Sequence, residues 1–186
     1  MDEENGREVI FREVQRVRQV WIWVIVIALA SLMWYALVQQ FLLGSPVGEN
    51  PMPDLVLVIF WLVFGIGLPA LFIFSRLVTE VRVDGIYIRY LPFHRSFRRI
   101  GFEQMRRYEA RTYRPLAEYG GWGIRYGFKG KGRAYNVSGN RGVQIELSNG
   151  KRLLIGSQRP EDLVRAIETK RGQKNHAIAE ELSDGP

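Results

Sequence analysis

Two long apolar segments constrain this chain more than any other feature. Residues 20–43 contain no Asp, Glu, Lys or Arg over 24 positions, and residues 55–75 contain none over 21. A helix rises about 1.5 Å per residue, so each segment is long enough to cross the roughly 30 Å hydrocarbon core of a bilayer. The sequence therefore predicts two transmembrane helices, over residues 20–43 and 55–77.

The segment between them predicts a hairpin. Residues 44–54 contain three prolines and two glycines, which interrupt a helix and favour a short external loop. Core helices of a soluble domain are disfavoured, because the remaining 110 or so residues could not cover two helices that are apolar all round. A secretory signal cleaved after residues 28–30 is also disfavoured, because apolarity continues for 13 further residues.

The distribution of basic residues predicts the orientation of this hairpin. Five arginines flank the two segments on their outer sides, and residues 44–54 contain no basic residue; the arginines are Arg12, Arg16, Arg18, Arg76 and Arg82. Positive charge accumulates on the cytoplasmic side of membrane helices. We therefore expect a multi-pass protein of the inner (plasma) membrane with both termini in the cytoplasm.

Residues 1–19 precede the first predicted helix and form a predicted juxtamembrane segment. Ile10, Val14, Val17 and Trp21 follow each other at helical spacing. This spacing predicts a helix that either lies along the inner membrane surface or extends the first span. The pattern does not separate these two alternatives.

Residues 78–172 show the alternation of polar and apolar residues that is typical of strands. Residues 79–83 and 86–90 alternate on either side of Asp84-Gly85, which predicts a hairpin with a tight turn. Residues 143–147 and 151–155 repeat the pattern around Asn149-Gly150. Four further strands are predicted, at residues 95–100, 106–112, 121–126 and 133–137. Seven or eight short strands favour a small antiparallel barrel or two orthogonal sheets.

One helix closes this predicted β domain. Pro160 lies in its first turn, Glu161 and Asp162 face the positive end of its dipole, and Gly172 ends it. Leu163, Ala166 and Ile167 would form an apolar stripe against the strands. Residues 173–186 are polar and predict a flexible tail. The fold class expected is α+β, with a transmembrane hairpin followed by a β barrel or sandwich and a C-terminal helix.

The order of these elements resembles the bacterial pleckstrin-homology-like domain that follows two transmembrane helices in small membrane proteins. The residues that carry the resemblance are VTEVRVDGIYIRYLP at 78–92, GNRGVQIELSNGKRLLIGSQRPEDLVRAI at 139–167 and YGGWGIRYG at 119–127. The resemblance implies a binding or assembly module and not an enzyme. It transfers no ligand pocket residue by residue.

The glycine-rich segment 119–133 is the candidate ligand-binding loop. It is not a phosphate-binding loop of the nucleotide type, because Arg125 stands where that motif needs glycine and Gly132 where it needs Ser or Thr. A plain connection between strands is the favoured reading. The alternative is contact with lipid headgroups through basic and aromatic side chains. The candidate residues are Trp122, Arg125, Tyr126, Lys129, Lys131 and Arg133.

The composition excludes several kinds of chemistry. The chain has no cysteine and only two histidines, so disulfides, thiolate metal sites and a cysteine nucleophile are excluded. His94 and His176 have no neighbours at metal-ligand spacing, so we expect both to be ordinary surface residues. Scattered carboxylates such as Glu118 are expected to form ion pairs with the many arginines. We predict no catalytic residue, metal or cofactor.

The net charge of the predicted β domain is compatible with three classes of binding function. Residues 79–172 contain 20 basic and 9 acidic residues, a net charge of +11. A non-enzymatic module that binds anionic lipid headgroups or a protein is the leading hypothesis, because a basic domain held at an anionic leaflet is attracted to it. Nucleic-acid binding is weaker, because no recognition motif is present. An accessory subunit of a transporter or envelope enzyme, or an oligomer formed through the spans, is the third.

Overall fold

A computed structural model describes residues 8–45, 47–48, 50–128 and 130–183. The chain divides into two compact units. Val17–Ser75 form the helical unit, and the residues on either side of this segment form the β unit.

The helical unit contains two apolar helices, α1 (Val20–Leu42) and α2 (Asp54–Phe74). Both are long and apolar enough to span a membrane. Hydrogen bonds join the two helices beside the connecting loop. There the side-chain amide of Gln40 donates to the Met52 carbonyl at 3.0 Å and to the Asp54 carboxylate at 2.5 Å.

Both helices contain a π-helical segment, at Val38–Leu42 in α1 and at Trp61–Gly67 in α2. The rings of Trp34 and Trp61 meet edge to face at 5.0 Å. The second helix ends at Phe74 and not at the predicted residue 77. Ser75 adopts an extended backbone, and a strand begins at Arg76.

The β unit contains two sheets. The four-stranded sheet has the order β1-β2-β3-β4, formed by Val9–Arg16, Arg76–Arg82, Gly85–Leu91 and Arg98–Gly101. The five-stranded sheet has the order β5-β8-β9-β7-β6, formed by β5 Met105–Thr112, β6 Gly123–Tyr126, β7 Arg133–Asn136, β8 Arg141–Leu147 and β9 Arg152–Gly156. Of the two predicted alternatives, a barrel or a pair of sheets, the described residues form a pair of sheets and no closed barrel. The all-antiparallel prediction is wrong, because β7 pairs with β9 in parallel.

Strand β1 corrects the prediction of a juxtamembrane helix. Residues Val9–Arg16 pair antiparallel with β2, and Phe11, Glu13 and Gln15 are buried while Ile10 and Val14 are exposed. The period of burial is therefore two. Of the four apolar residues whose spacing suggested a helix, Ile10 and Val14 lie on the exposed face of this strand, and the buried face carries two polar residues.

Buried hydrogen bonds fix β1 to the rest of the β unit. The Glu13 carboxylate accepts hydrogen bonds from the Ser157 hydroxyl at 2.5 Å and the Gln158 backbone N–H at 2.7 Å. The Gln15 amide donates to the Gly156 carbonyl at 2.6 Å. A buried carboxylate is tolerated only when such donors satisfy its oxygens.

Both predicted hairpins form. The first is β2–β3, but its register joins Arg82 to Gly85, so the turn is Val83-Asp84 and lies one residue earlier than predicted. The second is β8–β9, in which Gly150 adopts a φ of 77°, a conformation that favours glycine in its turn.

Two further helices complete the β unit. Short helix α3 (Pro115–Tyr119) was not predicted; its Tyr119 packs with Tyr113, Ala134 and Leu154 on one face of the five-stranded sheet. The closing helix α4 is Pro160–Ser183, so Gly172 does not end it and the predicted tail is helical as far as residue 183. Leu163 and Ile167 of α4 are fully buried, as the apolar stripe predicts.

The Glu13 contacts predict that β1 is part of the folded β unit. Replacing Glu13 with Ala removes the acceptor of two hydrogen bonds, one of them from the buried Ser157 hydroxyl, so we expect the free energy of unfolding to fall by about 2–4 kcal/mol. Denaturant unfolding of the full chain in detergent measures this. Glu109→Ala, at an exposed carboxylate, is the control and should change stability by less than about 0.5 kcal/mol. Equal effects of the two variants would contradict the assigned role of β1.

Candidate anion-binding site

A cavity of about 730 Å³ lies between the two sheets of the β unit. We call it the inter-sheet cavity. Its lining contains five basic residues and no Asp or Glu among the residues that the structure describes. The basic residues are Arg98, Arg99, Arg133, Lys151 and Arg152. A cavity with this charge balance attracts an anion.

The strand register places Arg98 on the inner face of the four-stranded sheet. Arg98 pairs with Ile88 and Ile100 pairs with Ile86, and both of these partners are fully buried. Cross-strand partners lie on the same face of a sheet, so Arg98 shares the face of Ile88 and Ile100, although it is itself exposed on the edge strand β4. Arg99 also contributes to the lining, but strand alternation places it on the other face from Arg98, and its guanidinium lies 2.6 Å from the Asp84 carboxylate.

Arg133 lies on the inner face of the five-stranded sheet, as Arg98 does on the four-stranded sheet. It pairs with Leu153 of β9 and with Tyr126 of β6. Its guanidinium lies over the Tyr126 ring, 4.8 Å from the centroid, and donates a hydrogen bond to the Tyr126 hydroxyl. Gly132 precedes it with a φ of 80° and packs against the Arg152 carbonyl so closely that a side chain would clash there. The glycine therefore allows β7 to pair with β9.

The two arginines converge on one neutral hydroxyl. The Tyr135 Oη accepts hydrogen bonds from Arg98 Nη1 at 3.3 Å and from Arg133 Nη1 at 3.1 Å. Within the described part of the chain, neither guanidinium has a carboxylate within 4.0 Å. The Arg133 Nε is buried and has no described hydrogen-bond partner. Two like charges at one acceptor repel each other, and an anion between them would remove that repulsion.

His94 lies beside this pair of arginines and not on an open surface as predicted. Its ring is 5.8 Å from the Tyr135 ring, and its Nδ1 is buried without a described hydrogen-bond partner. Burial lowers the pKa of His94 below its usual value, and the positive charges of Arg98 and Arg133 lower it further. The charges of Arg98 and Arg133 therefore influence the pKa of His94.

The structure separates the six residues predicted as a ligand loop. Tyr126 and Arg133 line the inter-sheet cavity. The Trp122 indole donates to the Gly139 carbonyl at 2.8 Å and braces a neighbouring turn, and the Arg125 Nε donates to the Trp122 carbonyl at 3.1 Å. Lys129 lies outside the described residues.

Lys131 faces a different groove and has an internal partner. Its ammonium lies 2.7 Å from Glu118, which also accepts a hydrogen bond from Arg111 at 3.0 Å and one from the Arg114 backbone N–H at 2.8 Å. Although burial raises the pKa of the Glu118 carboxyl, these donors lower it to about 2. This groove is lined by four basic residues and by Glu109 and Glu146, so carboxylates offset part of its positive charge, unlike in the inter-sheet cavity. The expectation that Glu118 forms ion pairs is confirmed.

Arg98 and Tyr135 were missed as site residues, and so was the apolar lining. A sequence signal existed for Arg98, because strand alternation separates it from Arg95 and Arg99 and places it beside Ile100. That signal identifies a face but does not show what faces it. Tyr135 carried no local signal, because an aromatic residue in a strand is ordinary.

The described residues contain no group of three or more His, Asp or Glu side chains that could hold a metal ion. The fold and this cavity define a mixed α/β protein with two apolar helices and a basic inter-sheet site. A family model described as a family of unknown function (DUF6141) matches residues 2–172, so the chain belongs to that family. No curated protein and no solved structure gives a significant match to the chain.

The Glu118 contacts predict a pH dependence of stability. The pKa is about 2 in the folded state against an ordinary 4.5, so the stabilisation is fully present above pH 4.5 and is lost as the pH falls toward 2. Glu118→Gln should remove on the order of 1 kcal/mol at pH 7 after solvent screening, and should make the loss of stability at acid pH shallower. Thermal unfolding of the full chain from pH 2 to 7 measures this, with Glu109→Gln as control. Identical acid limbs in Glu118→Gln and the wild type would contradict the prediction.

Proposed function

We propose that this chain is a non-enzymatic, membrane-anchored module whose β unit binds an anionic phosphate headgroup in the inter-sheet cavity. The observation that carries the proposal is the convergence of Arg98 and Arg133 on the Tyr135 hydroxyl with no carboxylate partner among the described residues. Guanidinium groups bind phosphate through paired, charge-assisted hydrogen bonds. The cavity supplies two such groups, and Lys151 and Arg152 add further positive charge.

The membrane anchor in this proposal is the helical unit, with both termini of the chain in the cytoplasm. In the most apolar 18-residue windows of α1 and α2, only 6% and 11% of the residues are buried. Val20, Leu42 and Leu55 are 75%, 73% and 72% exposed. Apolar surface of this extent is unfavourable in water and suits lipid. The arginines that flank the helices support a cytoplasmic β unit in the inner membrane.

The distribution of charge favours a headgroup over a nucleic acid. A nucleic-acid surface needs exposed cations that follow a phosphate backbone. Several exposed arginines of the β unit instead have carboxylate partners: Arg99 with Asp84, Arg107 with Glu109, and Arg141 with Glu161. Arg98 and Arg133 have no described carboxylate partner, and both line the cavity. The pleckstrin-homology-like assignment stays part of this proposal, and a two-sheet unit with a closing helix suits it.

Binding of a phosphate headgroup should raise the pKa of His94, because an anion opposes the charges of Arg98 and Arg133 that lower it. The probe is glycerol 3-phosphate, added at constant ionic strength to the full chain in phosphatidylcholine nanodiscs. In a His176→Asn background His94 is the only histidine, so proton NMR follows its titration directly. Two charge-assisted hydrogen bonds predict a dissociation constant on the order of 1 mM, and added salt should weaken the binding.

A charge-matched pair of variants tests the location of this site. Arg98→Gln/Arg133→Gln removes two cavity charges, should raise the pKa of His94 without ligand and should abolish its response to the probe. Arg107→Gln/Arg165→Gln removes two exposed charges and should behave as wild type. A His94 pKa that does not change up to tens of millimolar probe, or that changes equally in both double variants, would refute the proposed function.

A further inference from the structure

The apolar part of the inter-sheet cavity indicates the class of its ligand. We infer, on the basis of the proposed function, that the cavity takes an anionic amphiphile. Its phosphate head binds between Arg98 and Arg133, and its hydrocarbon chain lies against Ile88, Ile100, Leu147 and Leu153 of the same lining.

Incomplete burial of inward-facing apolar residues is the first support. Leu147 follows Val143 and Ile145 on the inner face of β8, and these two are fully buried while Leu147 is only partly buried. Ile100 likewise shares a face with fully buried Ile86 but is itself partly exposed. The two sheets therefore leave apolar inner surface uncovered at the cavity. A hydrocarbon chain would bury that surface, which is favourable by about 0.8 kcal/mol for each methylene group removed from water.

The size of the cavity is the second support. Its volume of about 730 Å³ falls in the range of cavities that enclose drug-sized molecules, whereas a single phosphate group contacts only a few donors. A free phosphate would leave the partly exposed side chains of Ile100 and Leu147 in contact with water. An amphiphile satisfies both parts of the lining at once.

The nature of the cations is the third support. Arg98 and Arg133 present planar guanidinium groups that match the geometry of phosphate oxygens, and Tyr126 and Tyr135 add hydroxyl groups beside them. The Arg133 Nε is buried and has no described acceptor. The head therefore meets several donors and none of the described carboxylates, and the aliphatic side chains of the lining are available to the chain.

The test compares three probes on the full chain in phosphatidylcholine nanodiscs. Octyl phosphate carries the head and a chain, glycerol 3-phosphate carries the head alone, and octanol carries the chain alone. Binding is followed by the His94 resonance in the His176→Asn background, with calorimetry on matched nanodiscs and subtraction of partition into empty nanodiscs. We expect octyl phosphate to bind at least tenfold more tightly than glycerol 3-phosphate.

Two matched pairs of variants assign head and chain separately. Arg98→Gln/Arg133→Gln should weaken octyl phosphate binding at least tenfold, and Arg107→Gln/Arg165→Gln should not. Leu147→Ser should remove the advantage of octyl phosphate over glycerol 3-phosphate, and Leu116→Ser, at an exposed leucine of α3, should keep it. If thermal unfolding shows that Leu147→Ser is not folded, Ile100→Ser replaces it.

The alternative outcomes are distinct. Equal, arginine-dependent affinity for both phosphates overturns the amphiphile and leaves the proposed function standing, with a free phosphate as the ligand. Arginine-independent binding of octanol as tight as that of octyl phosphate overturns the anionic head. Absence of arginine-dependent binding by either phosphate overturns both this inference and the proposed function.

Discussion

The hydroxyl of Tyr135 accepts hydrogen bonds from an arginine of each sheet, and this shared acceptor determines the character of the β unit's cavity. Arg98 and Arg133 both occupy inward-facing strand positions, where most sheets place apolar residues. Positive charge on both sides opposes close approach of the sheets there, and the space that remains is basic at these arginines and aliphatic beside them. Three other features lie close to these arginines. They are His94, the buried Arg133 Nε without a described partner, and the partly exposed side chains of Leu147 and Ile100.

Much of the architecture followed from local patterns. The length of the apolar segments located α1 and α2, and alternation around Asn149-Gly150 located the β8–β9 hairpin. Strand β1 could not be found this way. Its exposed face carries Ile10 and Val14, whereas its buried face carries Glu13, whose donors lie about 145 residues away in sequence. A buried carboxylate that is satisfied over such a distance leaves no signal in the local sequence.

The site shows the same limit. The glycine-rich loop drew attention to Tyr126 and Arg133, and both line the cavity. Treating the loop as one basic surface was less successful, because Lys131 has its own partner in Glu118. The second arginine of the site comes from a strand 35 residues earlier in the chain. Its pairing with Tyr135 depends on the packing of two sheets, which strand periodicity does not specify.

The most direct measurement is the coupling free energy between Arg98 and Arg133, obtained from a double-mutant cycle of Gln variants with and without saturating octyl phosphate. Equilibrium unfolding of the full chain in nanodiscs supplies the four free energies for each condition. Two uncompensated charges at one hydroxyl predict a repulsive coupling in the ligand-free protein that becomes favourable when an anion lies between them. A coupling that is favourable without ligand, or the same in both conditions, would contradict an anion site at this position.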